Sequence, residues 1–356
     1  MEIRTLLRLG KSSLVVVLPK TWLKELNLRA GDKVVVSQEE DGTLRIAPSN
    51  IESRCLERRR NVFVNVDSCG EVDLLERILV ANYLVGNDYV TIVSKRNILD
   101  PEYLKVVRKI VNKLRGVEII ERTPNKISLQ CVADPVKFTI QNILGRMLSL
   151  IISTLDYIKR GLEEMNNDYL KEVLYIEEEI DRLYWLAVRQ ILTIQRNRAL
   201  AKIVGVDSPL HLIGNRTIVK MLESTSDYLE EISRDALTID HSKLESSKGI
   251  ISKIAKFIDK LEDVASDVIR SYNGLDIKTA NDVLNQINSM ELEGRSIIED
   301  IITNVSDIKT GVLLVRIVTR LIDMIKSLSV ICEIVINRAM ENPDEKMPCI
   351  KVQQVE

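Results

Sequence analysis

Two pairs of carboxylates stand out in the second half of this 356-residue sequence. Glu177 and Asp181 are four residues apart, and Glu223 and Asp227 repeat that spacing further along the chain. On a helix, side chains at i and i+4 lie one above the other on the same face, where like charges repel. Two such pairs on neighbouring helices offer oxygen ligands to hard or borderline cations, so the spacing predicts a metal site. The alternative is that these carboxylates form a solvated helical face.

These carboxylates lie in residues 135–342, and the residue pattern of this segment predicts helix throughout. Apolar residues recur in steps of three and four at 140, 144, 147, 151, 155, 158, 162 and 165, which predicts a buried helical stripe. Helices one to three (135–241) and four to six (243–341) have similar lengths, which predicts a six-helix bundle of two three-helix repeats. The breaks between helices are expected at Asn166-Asn167, Ser208-Pro209 and Asn273-Gly274, and near His241-Ser242 and Thr310-Gly311. A disordered tail is expected over 343–356.

The first 134 residues predict two smaller domains joined by a polar, arginine-rich linker at 50–60. Residues 1–49 show strands at 14–18, 33–36 and 43–47 and a short helix at 22–28. Residues 61–134 alternate strand and helix in the order βαβαββ, which predicts a small two-layer α/β sandwich. No motif in this middle domain identifies a site, so it is either a small-ligand regulatory fold or a spacer.

Charge is distributed unevenly along the chain, although the formal net charge is only -2. Residues 1–37 carry seven lysines and arginines against three acidic residues, a net of +4, whereas residues 135–356 carry 28 against 34, a net of -6. A basic head on an acidic body is expected if only the head contacts an anionic polymer. The overall balance excludes a globally basic nucleic-acid coat protein.

The residue inventory also argues against several classes of protein. The five cysteines are scattered and form no CxxC motif, which argues against a disulfide framework and a cysteine-based zinc site. The sequence shows no signal peptide and no apolar stretch long enough to span a membrane, so we expect a cytoplasmic protein. No P-loop, GxSxG, HExxH or dinucleotide-binding fingerprint appears, so we expect no enzymatic activity. A metal-dependent enzyme on the carboxylates is the weakest alternative, since no base or nucleophile accompanies them.

The N-terminal segment contains S-L-V-V-V-L-P-K at 13–20 and L-x-x-G-D-x-V at 28–34. These motifs resemble the SpoVT/AbrB family over residues 1–49. The resemblance implies a homodimer that exchanges hairpins and binds double-stranded DNA through basic residues on the shared sheet. A segment so short and so poor in apolar side chains cannot bury enough surface alone, which agrees with dimerisation.

The candidate phosphate contacts of this domain share a basic or hydroxyl side chain and are Arg4, Arg8, Lys11, Ser12, Ser13 and Lys20. Lysine and arginine attract phosphates by Coulomb forces and counterion release, which sets affinity and register without reading base sequence. The alternative is that these residues form the solvated face of a plain dimerisation domain.

The two E-x3-D motifs, the duplicated six-helix layout and the sequence E-I-V-I-N-R at 333–338 resemble PhoU, a regulator of phosphate uptake, over residues 135–342. The resemblance implies one metal cluster on such motifs in each three-helix repeat. In the first repeat the implied ligands are Glu177, Asp181, Glu223 and Asp227, for an ion such as Fe, Zn, Mn, Ni or Mg.

The second repeat departs from this pattern. Glu291 stands at the position of the first glutamate, but Arg295 replaces the aspartate, and Ile322 and Lys326 replace the second acidic pair. One acid with two cations should not hold a multinuclear metal centre. We therefore expect one metal site per chain, with the second position closed by pairing of Glu291 with Arg295 and Lys326, or adapted to an anion.

Together these features predict a multidomain α+β protein: a swapped-hairpin β domain, a small α/β sandwich and an all-helical bundle. The combination resembles an archaeal-type fusion of the two families. It implies a regulator that binds DNA, controls genes of phosphate transport and responds through its helical half to a transporter, a metal or another signal. In the alternative, the bundle docks on a phosphate transporter at the membrane face and the N-terminal domain only dimerises.

Overall fold

The computed structural model describes residues 3–38, 42–49, 61–134, 137–196, 200–201, 204, 206 and 208–341. The chain divides into two compact units, Met1–Arg59 and Arg60–Glu356. The linker predicted at 50–60 and the tail predicted at 343–356 lie outside the described residues. The domain boundaries predicted at 1–49, 61–134 and 135–342 stay predictions.

The first unit consists of two separate antiparallel hairpins and one short helix. Strands β1 (Leu7–Leu9) and β2 (Ser13–Val15) form the first hairpin, and β3 (Val34–Gln38) and β4 (Leu44–Pro48) form the second. Helix α1 (Lys20–Glu25) lies between them in the sequence. The strand predicted at 14–18 is shorter than expected, and its partner β1 was not predicted. Residues 7–9 contain no β-branched side chain to indicate a strand, and the turn depends on Gly10 at φ 69°.

The strands of this first unit leave most of their apolar side chains exposed. Leu9 is 64% exposed, and Val35 and Val36 are each 55% exposed. Among its described residues, Pro48 alone is buried. The unit therefore has no apolar core within its own described residues, and an exposed apolar surface of this kind marks an interaction site.

Residues 61–134 form the predicted α/β sandwich, with two helices packed on one face of a four-stranded sheet. Its elements are β5 (Asn61–Asn65), α2 (Val72–Leu84), β6 (Tyr89–Val93), α3 (Pro101–Lys113), β7 (Val117–Thr123) and β8 (Lys126–Cys131). The sheet order is β5-β6-β8-β7, in which β5 and β6 are parallel and the other neighbours antiparallel. The predicted βαβαββ order is confirmed.

The helical region contains six long helices and one short helix within its described residues. The long ones are α4 (Ile140–Glu163), α5 (Asn167–Arg196), α6 (Pro209–Leu237), α8 (Lys248–Gly274), α9 (Ile277–Asn304) and α10 (Ile308–Ala339); the short α7 is His241–Ser246. The predicted stripe positions on α4 are all buried, namely 140, 144, 147, 151, 155, 158 and 162. No helix of the described chain combines the length and apolarity that a membrane crossing requires.

The break predicted near Thr310-Gly311 lies slightly earlier, at residues 305–307. Helix α9 ends at Asn304 and α10 begins at Ile308, so both residues lie in the first turn of α10. The carboxylate of Asp307 accepts a hydrogen bond from the backbone N–H of Thr310 at 3.0 Å. This N-cap starts the helix three residues earlier than the glycine suggested.

The α/β sandwich docks on helix α5, and Arg189 and Trp185 of that helix lie in the contact. Trp185 packs against the apolar cores of both the sandwich and the bundle. The buried Arg189 donates to the backbone oxygen of Tyr83 at 2.5 Å and to Oδ1 of Asp88 at 2.7 Å. Its guanidinium also lies 4.9 Å from the ring centre of Tyr83. These contacts join the two domains through residues that lie 101 and 106 positions apart in the chain.

We predict that Arg189→Met lowers the free energy of unfolding by about 2 kcal/mol, because it leaves buried acceptors without a donor. Urea denaturation followed by circular dichroism measures the change. Arg234→Met is the matched control, since Arg234 is exposed and pairs only with Glu230 of its own helix. The control should lose less than about 0.5 kcal/mol. Equal stability of the two variants would contradict the role of Arg189.

Candidate metal centre and nucleic-acid face

The acidic motifs lie on α5 and α6, which pack side by side in the first repeat. Ile180 on α5 and Leu222 on α6 are fully buried, so the apolar faces of both helices are occupied by the core. The hydroxyl of Ser233 on α6 donates to the backbone oxygen of Leu170 on α5 at 2.5 Å, which ties the two helices together at one end. The acidic side chains are therefore left at the edge of the seam between the helices.

Three of the four predicted ligands come together at this seam. Glu177, Asp181 and Asp227 each offer one carboxylate oxygen, and these oxygens all lie within 4.8 Å of one another. We call these three residues the carboxylate cluster. Glu223 is not part of it, because its carboxylate pairs with the ammonium of Lys220 one helical turn away.

Burial and mutual repulsion make the carboxylate cluster costly to ionise. Partial burial, and then the negative charges of Asp181, Glu230 and Asp227, raise the pKa of Glu177 from 4.5 to about 7. Burial, followed by the charge of Glu223, raises the pKa of Asp227 from 3.8 to about 6. Burial also raises the pKa of Asp181. The cluster therefore favours any proton or cation that neutralises part of its charge.

A cation from the other domain already faces this cluster. The ammonium of Lys113, the last residue of α3, lies 3.8 Å from Oδ2 of Asp181. It also lies 5.3 Å from the ring centre of Trp185. Sequence reasoning missed Lys113, because nothing in the local pattern of the sandwich indicates which helix of the bundle it contacts.

The donor set fits a hard divalent cation. All three members of the carboxylate cluster supply oxygen, which suits Mg²⁺, Mn²⁺ or iron, whereas zinc and nickel more often take histidine or cysteine ligands. The ammonium of Lys113 already lies 3.8 Å from one of these carboxylates, that of Asp181. The residues present therefore fit the metal that the first repeat predicts.

The corresponding charges of the second repeat are paired within their own helices. Arg295 lies 3.9 Å from Glu291, as predicted. Lys326 pairs instead with Asp323 at 3.7 Å and is more than half exposed.

Apolar packing also closes this second position. Ile322, which stands where a ligand glutamate would be, is buried over Gly294. A Cβ atom built on Gly294 would lie only 2.7 Å from Cδ1 of Ile322, so the isoleucine fills the hollow above the glycine. Across the described residues, the carboxylate cluster is the one group of three ligand side chains within reach of a single ion.

The six predicted DNA contacts are exposed in the first unit, but they do not all share a face. Lys11 and Ser12 lie in the turn between β1 and β2. In the register of this hairpin, Arg8 pairs with Leu14 and Ser13 pairs with Leu9. Since side chains alternate along a strand, Arg8 and Ser13 point to opposite faces of the hairpin. Arg4 precedes β1 and Lys20 begins α1.

Comparison with known protein families gives matches in two segments of the chain. Residues 7–53 match the family model described as antidote-toxin recognition MazE, bacterial antitoxin. Residues 144–236 match the PhoU domain. The chain therefore carries a MazE/AbrB-like segment at its N-terminus and a PhoU domain in its helical half, as the sequence motifs predicted. No functionally curated protein sequence matches the chain.

Two solved structures are similar to part of this chain at low sequence identity. PhoU from Pseudomonas aeruginosa is 15% identical with a TM-score of 0.47, and the match covers 57% of this chain and 96% of that one. The phosphate transport system regulatory protein PhoU from Streptococcus pneumoniae is 14% identical with a TM-score of 0.49, covering 60% and 96%.

We predict that Glu177→Gln flattens the pH dependence of stability in metal-free protein. Because the pKa of Glu177 is raised from 4.5 to about 7, the folded state binds this proton more tightly than the unfolded state does. The free energy of unfolding therefore falls as the pH rises from 4.5 to about 7. Glutamine cannot ionise, so the variant should gain about 1 kcal/mol over the parent protein at pH 8, after allowance for solvent screening.

Urea denaturation in the presence of a chelator, at several pH values, measures this difference. Glu178→Gln is the control, because this neighbouring carboxylate is exposed, pairs with Arg182, and raises the pKa of Glu177 less than the charges of the cluster and Glu230 do. The control should keep the parent slope. A Glu177→Gln variant with the parent slope would show that burial of Glu177 does not raise its pKa.

Proposed function

We propose that this protein is a cytoplasmic, dimeric DNA-binding regulator of phosphate uptake whose helical domain binds a divalent cation. The observation that carries the proposal is the presence, in one chain, of a MazE/AbrB-like segment at 7–53 and a PhoU domain at 144–236. The first kind of module is suited to DNA, and the second takes its name from regulators of phosphate transport. A protein with both parts connects a phosphate-related signal to gene expression.

The exposed apolar strands of the first unit support dimerisation. Val35 and Val36 on β3 and Leu9 on β1 are each more than half exposed to solvent in the single chain. Burial of such side chains contributes about 25 cal/mol for each Å² removed from water, which favours association of two copies. The partner surface we propose is the same unit of a second chain, with exchanged hairpins.

Dimerisation doubles the basic residues available to a DNA backbone. Arg8 and Lys11 are exposed in each copy, and both sit on or beside the first hairpin. Two copies related by a twofold axis match the pseudo-symmetry of duplex DNA. Contacts of this kind set affinity and orientation, and their strength falls with salt.

We predict that Arg8→Ala and Lys11→Ala each weaken binding to the promoter DNA of a phosphate transport operon severalfold. Each change should also lower the slope of log affinity against log salt by about 0.9 for every phosphate that the variant no longer neutralises. Fluorescence anisotropy titrations at several salt concentrations measure both quantities. Lys105→Ala is the matched control, because Lys105 is equally exposed but lies in the α/β sandwich, paired with Glu102.

Sedimentation of the same variants checks that the dimer is retained. Unchanged affinity and salt slope in both N-terminal variants would contradict the proposed DNA contacts. A dimer that binds no promoter DNA but co-purifies with a phosphate transporter would favour direct regulation of the transporter instead.

For the helical domain, we predict about one equivalent of Mn²⁺, iron or Mg²⁺ per chain in protein purified without chelator. Elemental analysis measures the content, and Asp227→Asn should reduce it to less than about a tenth of an equivalent by removing one of three ligands. Glu291→Gln, at the matching position of the second repeat, should leave the content unchanged. Metal-free parent protein would overturn the proposed site.

A further inference from the structure

The carboxylate cluster lies at the edge of the bundle where the α/β sandwich docks. Helix α3 of the sandwich ends at Lys113, whose ammonium faces Asp181, and Trp185 lies beneath the same ammonium. We propose that Lys113 competes with the divalent cation for Asp181, so that cation binding releases the end of α3 from the bundle. This inference rests on the proposed metal site and adds a link from that site to the sandwich.

The competition follows from charge and distance. The ammonium of Lys113 lies 3.8 Å from Oδ2 of Asp181, and the two side chains are 30% and 27% exposed. A metal ion coordinated by the same carboxylate would lie about 2–2.5 Å from its oxygen. The metal ion and the ammonium of Lys113 would then be within a few Å of each other in a partly desolvated seam, where like charges repel strongly. A divalent ion has twice the charge of the ammonium and contacts three carboxylates, so it displaces the lysine.

Lys113 has no second carboxylate to hold it in place. Among the described residues, Asp181 is its one ion-pair partner. The other cation that acts on Asp181 is Lys220, which is engaged by Glu223 on its own helix and therefore stays with the bundle. The other charged groups around Asp181 are Glu223 and Glu230 on α6 and the two other members of the carboxylate cluster. Lys113 is thus the cation that the other domain supplies to this site.

The release we propose is local, because other contacts keep the sandwich attached. Arg115 pairs with Glu179 at 3.3 Å, and Arg189 pairs with Asp88 at 2.7 Å. Neither pair includes a member of the carboxylate cluster. Cation binding is therefore expected to free the last turn of α3 and to change the surroundings of Trp185, while the domains stay together.

Trp185 provides a direct readout of this movement. The chain has two tryptophans, so the Trp22→Phe background leaves Trp185 as the single emitter. Titration with Mg²⁺, which is diamagnetic and does not quench by itself, should shift its emission as the ammonium leaves the ring. Electron paramagnetic resonance of free Mn²⁺, with Mg²⁺ as competitor, measures affinity separately.

In this background, Lys113→Met should bind Mn²⁺ about three- to fivefold more tightly, because the competing charge is absent. It should also lose the Mg²⁺-dependent change in Trp185 emission. Lys109→Met is the matched control: it lies one turn earlier on α3 and pairs with Glu76 of α2 at 2.8 Å, so it should behave like the parent. Lys113→Arg keeps the charge and should keep both the parent affinity and the emission change.

The outcomes separate this inference from the metal site itself. If the parent binds Mn²⁺ but Lys113→Met has the parent affinity and emission response, the competition is overturned and the metal site stands. If Lys113→Arg behaves like Lys113→Met, charge is not the cause and the inference is overturned. If neither parent nor Lys113→Met binds Mn²⁺, both the metal site and the competition fail.

Discussion

The helical half of this protein depends on one electrostatic constraint: carboxylates that share a partly buried seam cannot all remain charged without a positive partner. Glu177, Asp181 and Asp227 meet where α5 and α6 pack, because the apolar faces of both helices are used by the core. Partial burial weakens their hydration, and their mutual repulsion adds to the cost. A proton, a lysine or a metal ion can each satisfy the seam, and this choice gives the domain a state that can change with conditions.

The same constraint links the two domains of the second unit. The sandwich contributes Lys113 to the seam, while α5 contributes the buried Arg189 to the sandwich. Lys113 of the sandwich therefore pairs with a carboxylate of the bundle, and Arg189 of the bundle pairs with a carboxylate of the sandwich. A middle domain with no motif of its own becomes, in this arrangement, the part of the molecule positioned to respond to the charge state of the bundle.

The two halves of the helical bundle differ in the chemistry of this seam. The second repeat keeps the helix order, but Ile322 packs over Gly294 where the first repeat has an acidic group. Apolar packing at that position stabilises the bundle without any cation. One repeat is thus adapted to stability, and the other retains groups that are costly to bury and useful for binding.

Local sequence determined the elements of this fold, because helix and strand periodicity, caps and turn residues act over a few positions. The six long helices, the βαβαββ order and the pairing of Glu177 with Asp181 on one helix face were all predictable in this way. The unpredicted strand at Leu7–Leu9 had no local signal, since it forms only by pairing with its neighbour. Only tertiary structure decided that Asp227 on α6 meets Glu177 and Asp181 on α5, and that Lys113 faces Asp181. These outcomes depend on how whole helices pack against one another. The local sequence around each residue does not specify that packing, because the contacting residues are far apart in the chain.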